Sequence, residues 1–514
     1  MAKAQMAMSQ PDPSLLENVR READQFIRAA SDLVLIEGDA KVAVLAGHEW
    51  RLAVEFGKLM FEVWSPGRSL AWRIESIAYR STGRLGLFVR KPGGRETITL
   101  ELREAFASAA ESGEESRLRS HREFLASLQQ QFPGWRLQNV SNRTDRECSF
   151  SAWYTRGLAA RNRAGWAFLA LSGEADSAAS ESALAYGLNW LDWLRQKETT
   201  TAVTGLRLFL PASAIPLNAH RASCLDPAAV RIEVFELPPA SGAWRVIDLR
   251  DFGNVETRLT PRFQPGLGDS RREELLRRVF SDMLPQIEQA PGAPDGGVSL
   301  RILGLEVGRA SGRITPQLTW GLEHQRRKYR PAEHRKFEDF MREAIRLRSA
   351  HGPEPCHELY RMQPERWLES LLVRDITRLD PALRAGHVHP QVPAFAAGDR
   401  GVIDILGVRT DGRLAVIELK LVEEIGLPLQ ALDYWLRVKW LKARDQFRQF
   451  GYFPGIELSS APPVLYLVSP AFRFHSTTQK IVRYLHPSIE VFQAGVNQQW
   501  RSGVQVLFRR QIHG

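Results

Sequence analysis

Residues 402–435 read VIDILGVRTDGRLAVIELKLVEEIGLPLQALDYW, and no other stretch of the chain restricts its folding so tightly. Two apolar runs, 402–408 and 414–419, flank the turn-forming Thr410-Asp411-Gly412, a pattern that predicts a β-hairpin. Into strands otherwise built of Val, Ile and Leu the chain inserts Asp404, Glu418 and Lys420. Side chains two apart on a strand share a face, so Glu418 and Lys420 project together. Charges among aliphatic neighbours are costly to bury without partners. A divalent cation is one such partner. Two carboxylates can hold Mg²⁺, and an ammonium beside them can polarise water or offset developing phosphate charge.

The flanking segments extend the set. Residues 364–372, PERWLESLL, predict an amphipathic helix carrying Glu369, and downstream Gln430 and Tyr434, four apart, share one helix face. Helix acid, hairpin acid, Glu-x-Lys, then helix Gln and Tyr, in that order, resembles the PD-(D/E)xK nuclease superfamily. The Gln-x-x-x-Tyr element resembles its RecB-type branch. The resemblance covers only the C-terminal domain, and the proline of the family motif is absent, since Ile403 precedes Asp404.

That resemblance implies an α/β fold, a restriction-endonuclease-like mixed sheet flanked by helices. It also implies hydrolysis of phosphodiester bonds with Mg²⁺ or Mn²⁺ as cofactor, on DNA rather than RNA, in repair or defence. Asp404, Glu418, Glu369 and the Leu419 carbonyl are implied as metal ligands. Lys420 is implied to position or deprotonate water, and Gln430 and Tyr434 to orient Lys420 or a phosphate oxygen. The alternative is a nuclease fold that has lost its chemistry and binds nucleic acid or scaffolds a protein partner.

Single residues have plainer readings. Trp435 and Trp440 flank the Gln430 helix and read as core rather than as base-stacking platforms. His387 and His389 alternate like a metal pair, but two ligands make no site and Pro390 points to a turn. Asp399-Arg400 reads as a loop salt bridge, and helical spacing turns Asp433 away from Gln430 and Tyr434, toward solvent.

At 514 residues the chain exceeds one ordinary core, so about two to four domains are expected. Residues 1–110 alternate apolar and polar positions between Gly-rich breaks, Pro66-Gly67 and Pro92-Gly93-Gly94 among them, and predict a small β-barrel or sandwich after a short helix. The polar stretch 108–120 reads as a connector. Residues 121–245 read as an internal echo of the C-terminal domain: helix, strand (165–172), helix, then strands 206–215 and 230–237. Where the C-terminal copy has Glu418 and Lys420, the echo has only Phe168, Leu169, Ala170 and Leu171, so it would be a degenerate copy without a metal site. Simple alternation of strands and helices in any α/β domain is the competing account. Residues 246–350 mix turns, strands and a basic helix, with a loop at 290–297, and 351–514 form the nuclease-like domain.

A net charge of +10 and a pI near 9.7 suit a polyanionic partner. The densest basic stretch, 324–348, interleaves acids with its Lys and Arg and so predicts a solvated helix with i,i+4 ion pairs, a phosphate-tracking surface being the alternative. Cys148, Cys224 and Cys356 suggest neither a disulfide framework nor a zinc site. No run approaches the roughly 20 apolar residues of a membrane span, and the N-terminus lacks a signal-peptide core, which points to the cytoplasm. No helicase, Walker or methyltransferase motif is present. A protein partner would bind through the N-terminal domains.

Overall fold

The computed structural model describes residues 13–514 except 30–32, 38–39, 46–48, 56–57, 66–67, 82–83, 91–96, 105–106, 145–149, 173–174, 238–243, 251–256, 260–268, 292–296, 313–314, 323–324, 351, 353, 355 and 397–400. Pro66-Gly67, Pro92-Gly93-Gly94, Cys148, Asp399-Arg400 and most of the loop expected at 290–297 lie outside the described residues. By contact density the chain divides into one unit of residues 1–116 with 321–327 and another of 117–320 with 328–514. None of the described helices is long and apolar enough to cross a membrane.

In the first unit the alternating pattern produces one seven-stranded antiparallel sheet, ordered 40–44, 33–37, 98–104, 84–90, 68–81, 58–65, 49–55. It is therefore neither the barrel nor the sandwich expected. A barrel needs the end strands to pair and a sandwich needs a second sheet. Here one amphipathic helix, Pro13–Ala29, supplies the cover. Its Leu16, Ala23 and Phe26 join Leu35, Phe61, Trp72, Leu85 and Leu100 of the sheet in one apolar core.

The expected connector at 108–120 is instead part of a single helix, Ala107–Gln131. Alanine and glutamate there favour the helix, and the serines do not outweigh them.

The second unit contains two mixed sheets of the same topology. The first runs 136–141, 154–161, 164–171, 202–211, 231–237, 245–246, with neighbours antiparallel, antiparallel, parallel, parallel, antiparallel. In the second, strands 383–396, 402–409, 414–419, 464–470, 491–496 and 506–513 repeat that order and those directions. Each parallel step is bridged by helices in corresponding places. Ser177–Lys197 and Ile215–Ala222 serve the first sheet, and Leu427–Ala443 and Thr478–Val482 the second. The echo in the sequence is thus an echo of topology. A strand expected as loop, Leu383–Ala396, opens the second sheet, and 257–259 from the region before it pairs along its edge.

Period-two alternation sends successive side chains to opposite faces. In the first sheet Phe168 and Ala170 meet Phe124 and Leu128 of the outer helix, while Ala167, Leu169 and Leu171 face inward. In the second, Ala415, Ile417 and Leu419 meet Trp367, Leu368 and Leu372, while Leu414 and Val416 face inward. The inner faces and their four helices share one continuous core. They meet reciprocally: helix 177–197 packs on 478–482, and helix 427–443 on 215–222. At their centre Leu225 bridges Leu485, with Asp226 N–H donating to Tyr484 O and His486 N–H to Cys224 O, both 2.9 Å. Asp433, expected at the surface, is 8% exposed and bonds Arg221 of the first sheet at 2.7 Å. The helical wheel gave its direction but not the presence of a second sheet on that side. Correspondingly, Asp192 pairs with Arg483.

Residues 246–350 form the helix Asp269–Phe280, the antiparallel strands Glu288–Pro291, Val298–Ile302, Leu305–Ser311 and Gln317–Trp320, and the helix His334–Leu347. The basic helix is laced by ion pairs, Arg342 to Glu338 at 2.9 Å and Arg346 to Glu343 at 2.6 Å, as its spacing predicts. Arg348, by contrast, is buried and donates to the carbonyls of Ile302, Leu303, Leu359 and Met362, so it ties elements together rather than meeting phosphate.

Candidate active site

The hairpin closes at Gly412, whose φ of 81° lies in the left-handed region. A Cβ there would sit 2.7 Å from the Glu457 carbonyl, so glycine is required twice over. The register set by this turn pairs Ile405 with Ile417, which places Asp404 directly across from Glu418. Both acids lie on the inner face with Leu406, Val408, Leu414 and Val416, the side covered by the helix carrying Gln430 and Tyr434. Asp404 Oδ2 accepts the Leu419 N–H at 2.9 Å. Lys420 N–H donates to Val468 O at 3.0 Å, and its Nζ lies 3.9 Å from Glu418 Oε1 and 3.6 Å from Glu424 Oε2.

Glu418 is 2% exposed and its Oε2 has no hydrogen-bond partner among the described residues. Burial, reinforced by the charge of Asp404 opposite, holds its pKa well above the usual carboxylate range. Burial likewise pushes Asp404 up to about 6, against the opposing pull of the Leu419 N–H and of Lys420. Glu369 is raised to about 8 by burial, with Arg366 opposing and Asp404 adding to the shift. Burial pulls Lys420 down, but Glu424, Glu418, Glu365 and Asp404 together outweigh it, so its ammonium is held charged. Tyr434 is pushed up to about 12 by burial and then by Glu418, and it shares a hydrogen bond with Gln430.

Asp404, Glu418, Lys420, Glu369, Gln430 and Tyr434 are thus linked by contact or charge, although their contacts differ from simple expectation. Gln430 is tied to Tyr434. Glu369 reaches the site from the outer helix, accepting from Gln391 and lying 3.4 Å from Arg366. The two histidines do not form a pair. His389 is buried with its ring against Tyr452 and Phe453 at 5.0 and 4.7 Å, while the half-buried His387 has Nδ1 3.0 Å from Ala385 O. Trp435 is core, its Nε1 donating to Pro463 O at 2.7 Å, and Trp440 is half-buried beneath Arg444.

Three participants escaped the sequence reading. Gln391 stands across from Asp404, between the pairs Pro390–Ile405 and Val392–Ile403, with a left-handed φ of 55°. Strained backbone of this kind is kept where surroundings over-determine it, often at functional sites. Glu365 accepts the Leu421 N–H at 3.3 Å and acts on Asp404, Glu418 and Lys420 through its charge. Arg437 lies over the Tyr434 ring at 5.5 Å. Glu365 carried a signal, four residues before Glu369 on the same helix; Gln391 carried none.

Among the described residues no group of three or more His, Cys, Asp or Glu side chains is placed to hold a metal ion. The donor chemistry nonetheless fits a hard divalent cation: two facing carboxylates, one with an orphaned buried oxygen, and a third acid nearby. Ligation requires deprotonation, so divalent binding should displace protons held at about 6 on Asp404 and about 8 on Glu369. Mn²⁺ affinity, measured calorimetrically in buffers of different ionisation heat, should rise steadily from pH 5.5 to 8.5 with net proton release. An affinity flat over that range would rule these acids out as the ligands.

No protein-family model matches the chain, and no curated protein matches it.

Proposed function

We propose that the second mixed sheet is a restriction-endonuclease-like nuclease domain that hydrolyses phosphodiester bonds, of DNA before RNA, with Mg²⁺ or Mn²⁺. The observation that carries this reading is the register that sets Asp404 against Glu418, with the Glu418 Oε2 unsatisfied among the described residues. A buried carboxyl pair without a cation is an unfavourable arrangement to maintain. Asp404, Glu418 and the Leu419 carbonyl, with Glu369, would hold the ion, which when bound supplies Lewis acidity and an activated water.

The remaining work belongs to the protein. Lys420, kept charged by four surrounding acids, orients the water and offsets charge on the phosphate. Its raised pKa argues against the role of general base. Tyr434, fixed by Gln430 and placed close enough to feel Glu418, orders the acid pair from the helix side. The inward positions of strand 164–171 in the first sheet are Ala167, Leu169 and Leu171, all buried, so that copy supports binding or scaffolding and no hydrolysis.

A cleavage assay with Mg²⁺ and Mn²⁺ on linear, circular and single-stranded DNA and on RNA tests the reading. Lys420→Ala should keep metal binding yet lose on the order of 10²-fold or more in rate. Its DNA affinity should fall only modestly, because many Lys and Arg residues share that contact. A wild-type protein that binds DNA or RNA but cuts neither with any divalent ion would instead support the non-catalytic binding role.

A further inference from the structure

The chain contains its own control, because two sheets of one topology differ at the place where a substrate would approach. In both, the fourth strand ends in Pro-Ala, at Pro211-Ala212 and Pro470-Ala471. The first copy continues with Ser213 and the buried Ala214 into a short helical turn. The second continues with Phe472 and Arg473, both exposed, and Phe472 at 79% is the most exposed large apolar side chain among the described residues.

This loop is not loose. Ala471 N–H donates to Val496 O and Arg473 N–H to Pro470 O, both at 2.8 Å. Phe474 packs against Phe508 at 6.1 Å, and His475 Nδ1 lies 2.7 Å from Thr477 Oγ1. Phe472 and Arg473 project from this anchored turn. The strand before it runs parallel to 414–419, with Val468 bonded to Lys420, so the turn begins about 7 Å beyond Lys420 along the strand direction. Val422, also exposed, follows Lys420 on the adjoining loop. Arg510 lies over Phe508 at 5.3 Å and donates to the neutral Gln493, which leaves its charge uncompensated by that partner.

Single exposed hydrophobic residues are ordinary. This one stands on an anchored turn after the strand that pairs with the acid-bearing one, next to the exposed Arg473, and serine takes its place in the copy that lacks the acids. We propose that Phe472 is a stacking platform for an unpaired base next to the scissile phosphate, with Arg473 on a flanking phosphate. The preferred substrate is then single-stranded or frayed nucleic acid, an inference that rests on the nuclease reading of the neighbouring site. Every base has a stackable face, so such a platform selects unstacked strands without selecting sequence.

The test uses the full chain in EDTA, with an oligothymidylate carrying a single 2-aminopurine and a blunt duplex of equal length. Phe472→Ser and Phe472→Trp should keep the wild-type melting temperature. Wild-type and Phe472→Trp should quench the 2-aminopurine, and Phe472→Ser should not. Phe472→Ser should weaken single-strand binding on the order of 10-fold and leave duplex binding unchanged. Equal affinities of wild-type and Phe472→Ser for the single strand, or an equal loss on both ligands, would overturn the platform. Cleavage scored separately distinguishes the two readings. Quenching without cleavage by wild-type sinks the nuclease and leaves the platform, while cleavage with Phe472→Ser indistinguishable from wild-type in binding does the reverse.

Discussion

Glu418→Leu should make the metal-free protein more stable and, on the nuclease reading proposed above, reduce divalent binding and cleavage below detection. The first half of this result follows from burial. The Glu418 carboxyl sits in the interior with one oxygen unpartnered and Asp404 opposite, and leucine is what the first sheet places at inward positions of its matching strand. A buried polar group with an unsatisfied atom costs about 1–3 kcal/mol, and Lys420 keeps Glu424 at 3.6 Å when Glu418 is removed, so the variant should gain stability on that scale. The sign with pH follows from linkage. Burial raises the folded pKa of Glu418 above 4.5, so the unfolded chain releases its proton first. Wild-type stability from this group is intact below about pH 4.5 and declines as pH rises from there, so the advantage of the leucine variant should be small at pH 4 and large at pH 8. Melting curves in EDTA across that range would show it. Mn²⁺ should then raise the melting temperature of wild-type and not of the variant. A variant less stable than wild-type at pH 8 in EDTA, or one that still cuts, would remove Glu418 from the site.

The hairpin and its acids were legible because the physics there is local. A turn that requires glycine at 412 fixes the register, and the register alone sets Asp404 against Glu418. The repeated topology was legible for a related reason, since each copy carries the same succession of apolar strands and helices. The strand Leu383–Ala396 was not. It contains Pro390, which reads as a turn, and it passes through the left-handed Gln391, which breaks the expected backbone. Gln391 therefore disappeared along with the strand that carries it. Other misses come from partners far apart in sequence. The burial of Asp433 depends on a helix more than 200 residues earlier. The N-terminal alternation predicts strands but says nothing of whether they close, which depends on the pairing of end strands.

Asp433→Ala should cost about 3–5 kcal/mol of unfolding free energy, because it leaves the Arg221 guanidinium buried between two sheets without its carboxylate. Arg221 donates to both oxygens of Asp433, at 3.0 and 2.7 Å, and its side chain is 5% exposed, so water cannot replace the lost partner. The corresponding pair across the same interface provides the comparison. Arg483→Ala leaves Asp192 its bonds from Gln196 at 2.6 Å and Tyr484 at 3.4 Å, with Lys480 at 4.0 Å, and Arg483 is itself 61% exposed, so the change should cost far less, on the order of 1 kcal/mol or below. Removing both buried charges with Arg221→Met/Asp433→Leu should recover most of the Asp433→Ala loss, since apolar groups of similar volume commonly match a buried pair. Asp433 also neighbours Tyr434 on the helix that covers the acid pair, so Asp433→Ala should slow cleavage through displacement of that helix, and the double variant should restore part of the rate. Urea titrations of the four proteins decide the energetic question. A cost below about 1 kcal/mol for Asp433→Ala would mean that the shared apolar core joins the sheets without this pair, and that polar contacts at their junction serve alignment alone.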